Sequence, residues 1–351
     1  MSDRIINWSL SMIHIDGSFG EGGGQVLRTA LSLATLTGTP LTLDRIRAGR
    51  PKPGLSAQHL TGVRAAATLC NAKVYGDSLG SQYLEFIPQS PPQPGHYRFD
   101  VTTAGAVSLV LQTILLPLAL TPGESVVTLC GGTHVAFSPA FPYIQEVYLP
   151  AIAPMGVSAE VTLVKWGWYP RGGGEIQLRV TGGQPLSGLN LQDRGKLRQV
   201  RGLAAVTELP SHIPQRMANR AENRLREAQM KVHIQTSRQK GIAPGAGLFL
   251  TADYSNTIAG FSALGKQGLP SDQVADRACD ALLEFHHTGA AVDVYLADQL
   301  LLPAALATSE THYHAQAISL HLTTNAGVIE QFGIAKIEIN PEQNLVSVFP
   351  Q

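Results

Sequence analysis

Apolar residues along this 351-residue chain switch repeatedly between two spacings. One is that of a strand, every second position, and the other that of a helix, every third or fourth. Residues 12–16 read as a short strand that runs into a glycine-rich turn, and 25–37 as a helix stopped by Gly38. Strand-like spacing follows at 40–46, helical spacing at 56–70, then strands at 84–87 and 97–102. The order recurs: helix 106–120, strand 125–130, helix 140–155, strands 157–165 and 175–180. Near the C-terminus come a helix over 294–307, a strand beginning at 312–314, a helix over 325–332 and strands at 336–340 and 345–349. The runs LQTILLPLAL (111–120) and ADQLLLPAAL (297–306) echo each other. Three similar α+β units, each with helices on one face of a sheet, are expected.

The run TGGQPL (181–186) breaks the alternation, and 194–240 is far more charged than the rest. Helical spacing at 210–231 and 270–286 makes 185–284 an expected inserted small α+β domain. Residues 1–184 and 285–351 then form a discontinuous catalytic core.

Composition narrows the function. A hydrophobic share of 44% with zero formal net charge excludes intrinsic disorder. The balance of 26 Lys+Arg against 26 Asp+Glu excludes a general nucleic-acid coat but not a local basic pocket. Cys70, Cys130 and Cys279 lie far apart with no CxxC, which argues against a zinc site or a disulfide framework. With no basic stretch leading into an apolar run at the N-terminus, a cytoplasmic protein is expected. Residues 101–120 carry no charge and could span a bilayer. They contain Thr102, Thr103, Gly105, Ser108, Gln112 and Pro117, so a buried core helix and no membrane partner are expected.

Four segments could carry chemistry. The turn at 17–25 (GSFGEGGGQ) places glycines and Glu21 between a strand and a helix. It is either a tight packing turn or an anion site at a helix N-terminus, with Glu21 available to a divalent metal. The segment 47–59 (RAGRPKPGLSAQH) sets Arg47, Arg50 and Lys52 in a proline-stiffened loop, followed by Gln58 and His59. Arginine forks there suit phosphate. His312, His314 and His321 could be packed residues, zinc ligands or, for His321, a nucleophile, and spacing alone does not decide. In 295–299 (YLADQ), Asp298 and Gln299 read more readily as helix caps than as ligand contacts.

Taken together and in order, GEGGGQ with Arg28, RAGRPKPGLSAQHL, VLQT, GGT, YLADQL and HLTTN resemble the RNA 3′-terminal phosphate cyclases over nearly the whole chain. That resemblance implies three βαβαββ-type units with a small domain inserted before the last. It implies conversion of an RNA 3′-phosphate to a 2′,3′-cyclic phosphodiester, with ATP and a divalent metal, Mg²⁺ or Mn²⁺. By the same match His321 is the adenylylated nucleophile, and Gln112, Tyr295, Leu296, Ala297, Asp298 and Gln299 contact ATP. Glu21 serves the metal, while Arg28, Arg47, Arg50, Gln58 and His59 face the phosphate end of the RNA. The chain departs from the family pattern at Pro142, where an acid is expected. The alternatives are a non-catalytic cyclase-like protein of ribosomal RNA processing, which would lack the histidine, and an enolpyruvyl transferase, which would lack HLTTN. The sequence leaves the oligomeric state open, a homodimer included.

Overall fold

The computed structural model describes residues 11–351; the N-terminal residues on which the leader-peptide expectation rested lie outside them. The first unit runs β1 (Ile13–Asp16), α1 (Gly24–Thr37), β2 (Leu41–Asp44), α2 (Ala57–Cys70), β3 (Lys73–Tyr75) and β4 (Leu84–Ile87). Its sheet has the order β1-β2-β4-β3, with β1 parallel to β2 and the other pairs antiparallel. The second unit repeats this. Strands β5 (His96–Asp100) and β6 (Gly123–Gly131) flank α3 (Val107–Leu120), and β7 (Ser158–Lys165) and β8 (Gly174–Gly182) close the order β5-β6-β8-β7.

The helix expected over 140–155 comes in pieces: α4 (Phe141–Tyr143), a π-helical stretch (Ile144–Tyr148), α5 (Leu149–Ile152) and a 3₁₀ turn (Ala153–Met155). Pro150 and Pro154 each remove a ladder donor, and Leu149 N–H reaches back five residues to the Ile144 carbonyl.

The third unit begins with β9 (Asn190–Leu191), which pairs in parallel with β14 (Thr311–His314). Between them the chain builds a separate sheet, β11-β10-β12-β13, from β10 (Leu197–Thr207), β11 (Val232–Gln239), β12 (Gly245–Tyr254) and β13 (Ile258–Leu264). Helices α6 (His212–Glu227) and α7 (Ser271–Thr288) cover it, and its apolar cluster is distinct from that of the other units. In sequence this sheet lies between β9 and β14. The unit resumes with α8 (Val294–Gln299) and α9 (Leu301–Ala305), split where Pro303 has no N–H to offer the Gln299 carbonyl. It ends with α10 (Leu320–Gln331), β15 (Ala335–Asn340) and β16 (Leu345–Pro350). Helix α10 starts five residues earlier than its apolar spacing suggests, so His321 sits in its first turn.

Helix α1 is the hub: α2, α3 and α10, from all three units, pack on it. The uncharged stretch 101–120 supplies α3, almost wholly buried, and no helix among the described residues is long and apolar enough to cross a membrane. Pro117 lies inside α3 and cannot donate to the Thr113 carbonyl one turn back. The hydroxyl of fully buried Ser32, on α1, donates to that carbonyl at 2.7 Å, so one helix completes the ladder of its neighbour.

Ser32→Ala should therefore orphan a buried carbonyl and lower stability by about 1–3 kcal/mol, read from denaturant midpoints. Adding Pro117→Ala returns a backbone donor and should recover most of that loss. Equal loss in the single and double variants would show that the Ser32 bond is not a replacement.

Candidate functional site

Arg28 projects from α1 into the place where the three units meet. Its guanidinium is largely shielded from water, and that desolvation pushes it down to about 10, with Asp298 opposing the shift. It stays a cation, yet its only hydrogen bond runs from Nη2 to Gln25 Oε1 at 2.5 Å, and Nε has no partner among the described residues. A buried cation without a bonded counter-charge is costly, and an anion would remove the cost. A small, open cleft lies against it, lined among others by Gln25, Thr29, Gln112, Tyr148, Gln299 and Asn325.

A chain of hydrogen bonds frames this cleft. Thr29 Oγ1 donates to Asn325 Oδ1 at 2.6 Å, and Asn325 Nδ2 to the Asp298 carbonyl at 2.8 Å. Gln112 Nε2 donates to Gln299 Oε1 at 2.9 Å, and Gln299 Nε2 to the Tyr295 carbonyl at 2.8 Å. Tyr295 is exposed, while Leu296 and Ala297 turn their side chains into the core, so only their backbone could reach a ligand. Burial raises the Asp298 carboxyl to about 7, with the Arg28 charge pulling it back.

The glycine-rich turn after β1 brings its carboxylate to the other side of Arg28. Glu21 N–H donates to Thr324 Oγ1 at 2.9 Å, which anchors the turn to α10. At Gly20, with φ +58°, a Cβ would lie 2.1 Å from that same Oγ1, so the turn needs glycine there. Glu21 pairs with Arg50 through Oε1, and Oε2 lies 3.8 Å from His321 Nδ1. Oε2 is otherwise buried without a hydrogen-bond partner among the described residues. Desolvation, then Arg28 and Arg50, hold the His321 imidazole below its ordinary value, and the ring is half exposed. The imidazole is therefore neutral at pH 7 and open to attack an electrophile.

His59 lies on the far side of Gly24. A Cβ at Gly24 would be 2.2 Å from His59 Nε2 and 2.9 Å from Arg28 Nη1, so this glycine allows both groups to converge. Burial, Arg28 and Arg47 push His59 down to about 3; its Nδ1 accepts the Ser56 N–H at 3.3 Å as half of a capping box and lies 2.7 Å from Ser56 Oγ. His59 is thus a fixed, neutral wall. Gln58 Oε1 accepts the Ala106 N–H at 2.8 Å, and Arg47 Nη1 donates to the Gly54 carbonyl at 2.6 Å, so both brace loops. Lys52 is exposed. His312 and His314 lie on β14, where His312 bonds Ser347 and Glu310.

Sequence spacing did not single out Asp293, Tyr143 or Tyr148. Asp293 caps α8, accepting from Tyr295 N–H and Leu296 N–H, and an Asp just ahead of an apolar helical run is the signal that marks such a cap. Tyr143 OH donates to it at 2.9 Å. Pro142 is buried at the start of α4, so its position offers a fold-breaking ring and no acid. No group of three or more His, Cys, Asp or Glu is arranged for a metal among the described residues.

Comparison with known proteins identifies a family. The family description "RNA 3′-terminal phosphate cyclase" matches residues 19–339. A protein of that name from Nostoc punctiforme is 63% identical over 343 residues, which are 96% of this chain and 99% of the relative. Same-named proteins from Methylococcus capsulatus and Archaeoglobus fulgidus are 52% and 41% identical, over 94% and 92% of this chain and 93% and 95% of theirs.

An unpaired buried cation should make the cleft bind small polyanions. Pyrophosphate is expected to raise the melting temperature of the parent, because ligand binding to the folded state adds to its stability. Arg28→Met fills the space without charge. It should melt no lower than the parent in the absence of ligand and lose the pyrophosphate response. A response that survives in Arg28→Met would place the anion elsewhere.

Proposed function

The chain belongs to the RNA 3′-terminal phosphate cyclase family, and from that membership we propose that it closes RNA 3′-phosphates to 2′,3′-cyclic phosphodiesters at the expense of ATP, through His321. The observation that carries this reading is a neutral, half-exposed imidazole set beside a buried arginine that lacks a bonded counter-charge. A phosphate monoester has no good leaving group at its own phosphorus, so it must first be activated.

In the first step a His321 ring nitrogen attacks the α-phosphorus of ATP and the α–β bond breaks, releasing pyrophosphate. Nδ1 faces Glu21, which leaves Nε2 as the attacking atom. In the second step an oxygen of the RNA 3′-phosphate attacks the same phosphorus, and the imidazole leaves with its electron pair. The RNA now ends in a phosphoanhydride to AMP. In the third, the neighbouring ribose 2′-oxygen attacks the RNA phosphorus, loses its proton and expels AMP. Intramolecular attack needs little beyond orientation. Arg28 and Arg50 stand where charge develops on the phosphoryl oxygens. Gln112, Tyr295, the 296–297 backbone, Asp298 and Gln299 would receive the nucleotide, and the Arg47–His59 loop would shape the mouth for the RNA end.

Glu21 Oε2, a hard oxygen with no partner, fits a Mg²⁺ or Mn²⁺ ion shared with substrate phosphates, since such ions take one or two protein carboxylates and fill the rest with water and phosphate. When bound, the ion would neutralise phosphate charge. The segment between β9 and α8 is proposed to form the separate inserted domain, on the strength of its own sheet and apolar cluster.

Incubation with ATP labelled at the α-phosphate tests the reading. The parent should become covalently labelled and release the label to a 3′-phosphorylated RNA. His321→Ala should abolish both; persisting acid-labile label would move the nucleophile to another residue. Because desolvation and two arginines depress the His321 pKa, the neutral form persists below the ordinary imidazole value of about 6.5. The labelling rate should be flat near pH 7 and fall only as pH drops through a midpoint below 6.5. A midpoint above 6.5 contradicts the assignment.

Glu21→Gln keeps shape and removes charge. It is expected to raise the metal concentration needed for half-maximal labelling, with a smaller effect at saturation. An unchanged metal titration removes Glu21 from the metal.

A further inference from the structure

The separate sheet meets the segments behind the cleft through two polar links. Its strand β13 offers Gly260 N–H to Asp293 Oδ2 at 3.3 Å. Asp293 is fully buried, caps α8 through Tyr295 N–H and Leu296 N–H at 3.0 and 2.9 Å, and accepts the Tyr143 hydroxyl at 2.9 Å. One carboxylate therefore joins three segments: β13, the turn that begins α4, and the helix carrying residues 295–299. The second link is Arg201 on β10. It grips Asp253 of β12 with two nitrogens, at 2.7 and 3.0 Å, and reaches Glu146 of the π-helical stretch at 2.7 Å.

Packing between the links is close. A Cβ at Gly260 would fall 2.5 Å from Val147 Cγ2 and 2.8 Å from Tyr143 Cδ2, so β13 lies directly on the segment whose Tyr148 lines the cleft. Tyr143 meets Tyr295 edge to face, with ring centroids 6.5 Å apart. Capping α8 requires only one oxygen acceptor, and a serine would supply it. A buried carboxylate is a costlier choice, and it is justified here by a second oxygen that fixes Tyr143 and β13 at the same time. A π-helical stretch, rare in itself and frequent at functional sites, sits where the second link ends.

We propose that the inserted sheet is a working part of the nucleotide site, and that Asp293 and Arg201 are positioning residues that set the spacing between Tyr295 and the Tyr143–Tyr148 wall for ATP. The proposal rests on the reading that this cleft receives ATP. Neither residue touches the reacting phosphates; each acts through the wall it holds. Asp298, on the same helix, feels the Asp293 charge, while Arg201 is paired with Glu146 and Asp253.

The test is the ATP dependence of covalent self-labelling, with RNA absent, followed by the RNA dependence of cyclisation at saturating ATP. Asp293→Asn retains an oxygen for the cap but turns a donor toward Tyr143 or Gly260. It should raise KM for ATP about ten-fold, the effect of losing one hydrogen bond to a charged group, with the maximal rate within two-fold of the parent. Arg201→Ala, at a partly exposed position where the fold is expected to survive, should raise KM for ATP about three-fold, and Arg201→Lys less. KM for RNA should not move. Arg216→Ala breaks an outward ion pair with Asp272 on the same inserted unit and should match the parent throughout. Melting curves separate these effects from unfolding.

If folded Asp293→Asn and Arg201→Ala keep the parent KM for ATP, or lose rate with KM unchanged, the inserted sheet is not a positioning element and the proposal falls. If the parent itself takes no label from ATP, the reading of the cleft fails, a result distinct from any difference among variants.

Discussion

A guanidinium taken out of water without a bonded carboxylate is the constraint on which the site depends. Arg28 can be held this way only because helices from all three units close around α1. Its charge then sets the state of its neighbours. It helps keep His59 and His321 neutral, and it moderates the rise of Asp298. The cleft is in this sense preorganised for negative charge, with the donors already desolvated before a substrate arrives. A chain of zero net charge can therefore still concentrate positive charge in one cleft.

Much of the fold was legible because the period of apolar residues changes wherever the element type changes. Gly38 adopts φ +70° as the stop of α1, and Ser56 caps α2, as local chemistry dictates. The short strand β3, with no buried side chain, gave no period to read. The helix over 140–155 misled because apolar spacing is blind to prolines that remove ladder donors. The start of α10 was missed for the opposite reason. Its first turn, Leu320–Thr323, is mostly exposed, so no buried stripe announces it, and its cap is the Ser319 hydroxyl.

The site divides along the same line. The charged loop and the glycine turn stood out by composition, since cations and glycines are conspicuous in a chain with few charges. Which of them meet was not legible. Glu21 with Arg50, Thr29 with Asn325 and Gln112 with Gln299 are contacts across helices, and no local spacing encodes them. Asp293 was overlooked because a capping residue looks the same whether it serves one helix or three segments. Gln58 stood out in the charged loop, but its bond to the Ala106 N–H at the start of α3 was not legible.

The distance in sequence between contacting residues has a consequence for how the protein comes into being. Thr29 bonds Asn325, Glu21 is anchored by Thr324, and β9 finds its partner only at Thr311–His314. The first and second units can complete their sheets while the ribosome is still at work, but α1 stays open on one side until the last helix has left the exit tunnel. A chain cut short before α10 would present Arg28 to water and never assemble His321 beside it. Closure of the cleft thus waits on Asn325, 296 positions from Thr29 of α1, and a copy lacking α10 would leave α1 without one of its three packing neighbours.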